Sequence, residues 1–124
     1  MSVILIVEDN EKNMKLARDI LQAKGYTTLE AITGEEGVRL AQENKPDLVL
    51  MDIQLPGING IEAFRQLRAD PQTAAIPVVA LTASVTPTDR TQITAAGFTA
   101  FLSKPINLKE FVETVKRVVE SGGK

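Results

Sequence analysis

Five short apolar runs punctuate this sequence, and each is followed by a stretch whose apolar residues recur at helical spacing. Val3 to Val7 (VILIV) is continuously apolar, as in a strand buried on both faces. The next segment sets Leu16, Ala17, Ile20 and Leu21 at helical spacing and stops at Gly25. Residues 26–31 (YTTLEA) predict a weaker strand. Residues 35–44 predict a short helix with Val38, Leu40 and Ala41 inward, halted by Pro46. Asp47 to Met51 (DLVLM) is the third strand, followed by the loop PGING and a helix carrying Ile61, Phe64 and Leu67. Residues 76–81 (IPVVAL) and 98–102 (FTAFL) are strands four and five. Between them lies a weakly amphipathic helix, residues 87–96, with Ile93 as its one large apolar residue. The last helix, 108–120, aligns Leu108, Phe111, Val112, Val115 and Val119 in one stripe, and SGGK (121–124) reads as a frayed tail.

Five βα units imply an α/β fold with a parallel sheet covered by helices on both faces. A length of 124 residues suits one domain over 1–124. The net charge of −2 offers no nucleic-acid-binding surface. No apolar run approaches the roughly 20 residues of a membrane span. MSVILIVEDN is too short and too soon acidic for a signal peptide, so a cytoplasmic protein is expected. The chain has no Cys and no His. That excludes disulfides, thiolate nucleophiles, sulfur-bound zinc, His-ligated metals and a Ser-His-Asp triad. Chemistry falls to carboxylates, Lys, hydroxyls and a hard metal ion.

In open parallel sheets, functional groups gather beyond the carboxyl ends of the strands. The residues there are Glu8-Asp9, Ala31-Ile32, Asp52, Thr82-Ala83 and Ser103-Lys104-Pro105. Each alone has an ordinary explanation. Asp9 or Asn10 suits a helix N-cap, Asp52 a turn, Lys104 solvated surface, and Thr82 and Pro105 the ends of a strand and a loop. Together they are harder to dismiss. Three converging carboxylates repel one another, and a hard divalent cation such as Mg²⁺ offsets that cost. Lys104 then adds a fixed positive charge on the far side. Acids, a hydroxyl and a Lys without His or Cys suit a transferring phosphoryl group.

The pattern of Glu8-Asp9, Asp52, Thr82 and Lys104-Pro105 on five βα units resembles the receiver domain of bacterial two-component response regulators, within the CheY-like superfamily. The stretches VEDNEKNMK and ENKPDLVLMDIQLP are most similar to DivK-type single-domain regulators. The resemblance implies a (βα)5, flavodoxin-like fold with strand order 2-1-3-4-5. It implies that Asp52 is the phosphoacceptor, forming an aspartyl phosphate at the expense of a phosphohistidine on a histidine kinase or histidine phosphotransfer protein. Mg²⁺ (or Mn²⁺) would be ligated by Asp9 and Asp52, by Glu8 through water, and by the backbone carbonyl of Gln54. Thr82 and Lys104 would contact the phosphoryl oxygens, Ala83 would leave room for them, and the Lys104–Pro105 peptide would be cis. The output would be protein binding through the face made by the fourth helix, fifth strand and fifth helix, with no direct nucleic-acid or membrane contact. Gln54 and Ser84 flank the site where they could influence dephosphorylation.

One position departs from the family pattern: the switch residue, commonly Tyr, is Phe101, which has no hydroxyl to hydrogen-bond. Three rivals stand beside this reading. An aspartyl-phosphate phosphatase commonly has an acid two residues after its nucleophile, and Gln54 stands there. A nucleotide-binding domain needs a Gly-rich loop after its first strand, where VEDNEKN stands. A degenerate receiver used only for docking would lack some of the acids, the hydroxyl or the Lys.

Overall fold

The computed structural model describes residues 2–83 and 87–120, with side chains for all of these except 87–90. The tail 121–124 and Ser84 lie outside the described residues. The order is β1 (Val3–Val7), α1 (Glu11–Ala23), β2 (Thr27–Ala31), α2 (Gly34–Asn44), β3 (Leu48–Asp52), α3 (Gly60–Ala69), β4 (Val78–Thr82), α4 (Pro87–Ala96), β5 (Ala100–Ser103) and α5 (Leu108–Glu120). All strands are parallel, in the order β2-β1-β3-β4-β5. This is the flavodoxin-like arrangement expected from the resemblance.

Period-two alternation explains why the central strands are apolar throughout. Ile4, Ile6, Leu48, Leu50, Val79 and Leu81 face one layer, where Met14, Ala17 and Leu21 of α1 meet Phe111, Val115 and Val118 of α5. Leu5, Val7, Val49, Met51 and Val78 face the other, against Val38 and Ala41 of α2 and Ala63, Phe64 and Leu67 of α3. The two layers together leave every residue of β3 buried, including its terminal carboxylate.

Each of the first three helices starts on a side-chain cap. Asn10, Thr33 and Asn59 accept from the backbone N–H three residues on. Asn10, not Asp9, caps α1, which leaves the Asp9 carboxylate outside the cap. Lys45 closes α2 in the left-handed region (φ 46°) just before Pro46.

Ala17, Ile20 and Leu21 of α1 and Phe111, Val115 and Val119 of α5 lie in or against the core as expected, and the stripes differ from expectation at single positions. On α1, Met14, Ala17 and Leu21 are buried and Leu16 is 43% exposed. Met14 lies two residues from Leu16, so an apolar residue was available on either face. On α5, Thr114 and Val118 join the core while Leu108 is 59% exposed at the first turn. Strands four and five also begin later than expected. Ile76 belongs to a turn closed by its N–H to Thr73 O at 3.1 Å, and Pro77 has no N–H to give. Strand three, in turn, runs one residue further and includes Asp52, paired with Leu81.

Candidate functional site

The pairing that builds the sheet also delivers the polar residues to one edge. Glu8 follows β1, and its N–H donates to Ala31 O at 3.0 Å, so it is held as an extension of the strand. Asp52 ends β3, the strand next to β1, and Thr82 ends β4, the strand after that. Lys104 follows β5, with its N–H donating to Thr82 O at 2.8 Å. Glu8, Asp52 and Thr82 are buried, whereas Asp9, Gln54, Ala83 and Pro105 are exposed.

The carboxylates are fixed atom by atom. Asp52 Oδ1 accepts from Gln54 N–H at 2.9 Å, and Asp52 Oδ2 accepts from Lys104 Nζ at 2.9 Å. Glu8 Oε2 accepts from Asn10 N–H at 3.1 Å. Glu8 Oε1 lies 2.7 Å from Lys104 Nζ, an ion pair without hydrogen-bond alignment, so this buried oxygen has no directed donor. The turn role considered for Asp52 is thus real and coexists with the cluster. Lys104 does not stand on the far side, as expected, but bridges Glu8 and Asp52. No local spacing encodes that contact, because it forms only when strands one, three and five are assembled.

Burial, followed by the nearby Asp52 carboxylate, pushes the Glu8 carboxyl up to about 7, against the pull of Lys104 and Asn10 N–H. Burial works against the Lys104 ammonium, but Glu8 and Asp52 outweigh it and hold its pKa above the ordinary lysine value. Glu8, Asp9 and Asp52 each offer an oxygen, and these atoms lie within 4.8 Å of one another. An all-oxygen donor set that includes a buried oxygen lacking a hydrogen-bond donor fits a hard divalent cation.

The glycines of the PGING loop act differently from one another. Gly57 adopts φ +73°, the left-handed turn conformation expected of a bending residue. Gly60 is instead the first residue of α3, where its N–H donates to Ile53 O at 2.9 Å. A β-carbon on Gly60 would overlap the Asp52 carbonyl, so it is needed for close approach rather than for bending.

Phe101 lies half-buried on β5, opposite Ala80, and Lys104–Pro105 is cis as expected. Residues 4–116 match the family model described as the response regulator receiver domain. The chain belongs to the response regulator receiver family. This receiver domain, a module of two-component signal transduction, is 47% identical over 113 residues to the polar-differentiation response regulator DivK of Brucella anthropi. That alignment covers 91% of this chain and 92% of the relative. Among solved structures it resembles the receiver domain of a Pseudomonas aeruginosa sensor histidine kinase, which holds a magnesium ion in its active-site cleft. The identity is 33% and the TM-score 0.89, with 96% and 98% of the two chains covered. A chemotaxis response regulator of Vibrio cholerae is 29% identical with a TM-score of 0.89, over 95% of this chain and 98% of the other. Among the described residues, no helix is long and apolar enough to cross a membrane.

Proposed function

We propose that this receiver domain accepts a phosphoryl group on Asp52 from a phosphohistidine of a histidine kinase or histidine phosphotransfer protein. A carboxylate oxygen of Asp52 attacks phosphorus, the P–N bond breaks, and the imidazole nitrogen leaves with the electron pair and takes up a proton. The observation that carries this reading is Asp52 itself: it is buried at the end of β3, with a carboxylate oxygen within 4.8 Å of oxygens of Glu8 and Asp9 and an ammonium 2.9 Å from Oδ2.

Glu8, Asp9, Asp52 and the backbone carbonyl of Gln54 would hold Mg²⁺ or Mn²⁺, Glu8 through water. When bound, the metal neutralises charge on the phosphoryl oxygens. The Gln54 N–H orients the Asp52 carboxylate through Oδ1. Lys104 pairs with the phosphoryl oxygens, the Thr82 hydroxyl donates to them, and Ala83 leaves them space. Phe101 then shifts with Thr82, favouring one of two states of the α4-β5-α5 face toward downstream proteins. Covering residues 1–124 as one domain, the protein acts in the cytoplasm as a phosphoacceptor rather than a turnover enzyme.

Incubation with acetyl phosphate or phosphoramidate and Mg²⁺ should label wild type with one base-labile phosphoryl group, and Asp52→Asn should abolish it. Continued labelling of the Asn variant would overturn the site. Wild type that neither labels nor binds Mg²⁺ would favour a docking module, and sustained hydrolysis of many phosphate esters a phosphatase.

A further inference from the structure

The loop that serves Asp52 is moulded from outside by the start of α2, which carries none of the site chemistry. Residues 53–59 leave β3 and enter α3, and the Gln54 N–H within them holds Asp52 Oδ1 at 2.9 Å. Leu55 and Ile58 lay their side chains against the core layer that α2 and α3 share. Gly34, the buried first residue of α2, meets Ile58 closely. A β-carbon there would lie 2.7 Å from Ile58 Cγ1 and 3.0 Å from the Ile58 carbonyl oxygen. Next to this pair, a β-carbon on Gly57 would lie 2.9 Å from Glu35 Oε2. The loop and the first turn of α2 therefore interlock at adjacent positions, without room for another atom. That turn is itself fixed: Thr33 Oγ1 accepts from Glu36 N–H at 3.1 Å, and Glu36 Oε1 accepts from Ile32 N–H at 2.9 Å. Ala31, just before it, is paired with Val7 in the sheet.

We propose that Gly34 and Ile58 are positioning residues for Asp52, a role that rests on the proposed reading of Asp52 as the phosphoacceptor. The missing side chain of Gly34 seats Ile58, the seated loop places the Gln54 peptide, and that peptide sets the direction of the carboxylate. The Gly34 backbone does not itself demand glycine, because its φ lies outside the left-handed region and Ala is the better helix residue. What Gly34 supplies is room. The atoms it spares are the root of a β-branched side chain and a backbone oxygen, and neither swings aside without moving the loop.

Two measurements test this: labelling by acetyl phosphate and Mg²⁺ well below the melting temperature, and the Gln54 amide resonance of the metal-free protein. Gly34→Ala should label about tenfold more slowly than wild type and move the Gln54 amide proton upfield as its bond to Asp52 lengthens. Ile58→Ala removes Cγ1 and leaves a gap, so adding it to Gly34→Ala should restore the resonance and bring labelling within about threefold of wild type. Val38→Ala opens the same layer one turn along α2; it should melt lower yet match wild type in both readouts. A Gly34→Ala variant that matches wild type overturns the proposal, and so does failure of Ile58→Ala to rescue it. Equal losses in Val38→Ala also overturn it, because they would mark a purely structural effect. Should Gly34→Ala alone not fold, Ile58→Ala is compared with the double variant. A double variant as fast as Ile58→Ala supports the fit, and one about tenfold slower overturns it. Wild type that does not label overturns the reading of Asp52 and the positioning role with it, whereas labelling by wild type and variants alike removes the positioning role alone.

Discussion

Gly60 lies so close behind Asp52 that a β-carbon on the glycine would overlap the aspartate's carbonyl oxygen. The obstacle is backbone on both sides, since the start of α3 is also tied to Ile53 O. Gly60→Ala should therefore destabilise the chain by about 1–3 kcal/mol, although Ala is intrinsically the better helix residue. It should also reduce labelling from acetyl phosphate, because relief requires the end of β3 to move. Urea unfolding and a labelling time course check both; an unchanged midpoint would show that α3 tilts away freely.

The raised Glu8 carboxyl predicts a pH dependence for the metal binding proposed above. Its folded pKa of about 7 exceeds the ordinary 4.5, so its contribution to metal-free stability is fully present below 4.5 and lost as pH rises through 7. A cation needs the carboxylate, so Mg²⁺ affinity should move oppositely, rising by up to about tenfold per pH unit below 7 and then levelling. Calorimetry at pH 6, 7 and 8 measures this. Glu8→Gln should bind more weakly and flatten the profile over that range.

Two apolar residues two positions apart on α1 should behave unlike each other. Met14 is 6% exposed within the α1–α5 layer, and Met14→Ala should cost about 2–5 kcal/mol. Leu16 is 43% exposed, and Leu16→Ala should stay within about 1 kcal/mol of wild type. Denaturant midpoints of the two variants decide the phase of the helix.

Arg68 anchors the loop before β4 although it belongs to none of the site chemistry. Its guanidinium lies 4.5 Å from the Phe64 ring centroid and donates to Ile76 O at 2.7 Å, while Phe64 stacks on Phe98 at 4.1 Å. Arg68→Met should cost about 1–3 kcal/mol, because the carbonyl loses its charged donor and the ring its cation. Arg68→Lys should not fully restore the loss, since an ammonium cannot both stack on the ring and reach the carbonyl as the planar group does. Thermal melts of the three proteins test the order.

The fold was legible wherever burial on both faces forces a continuous apolar run, as in VILIV and LVLM, and wherever a cap or a proline ends an element, as at Pro46. The exact membership of the helical stripes was less legible. With Met14 and Leu16 both apolar, periodicity alone cannot choose the face, and on α5 the core accepted Thr114 over Leu108 because packing against the sheet decides. The strand-end acids, Thr82 and Lys104 were readable as a list, because parallel topology sends every such residue to one edge. Which atoms meet there was not. The Lys104–Asp52 contact spans 52 residues of chain, and the one with Glu8 spans more.

Lys104 rides on β5, which pairs with β4 alone and forms one margin of the sheet, whereas Glu8 and Asp52 leave interior strands. Transient peeling of that margin, the kind of sub-global opening that amide exchange detects, would carry the ammonium away and leave two buried acids facing each other. The breathing of an outer strand and the electrostatics at the centre of the sheet are therefore a single event. Anything that clamps β5 from outside also steadies the charge balance around Asp52.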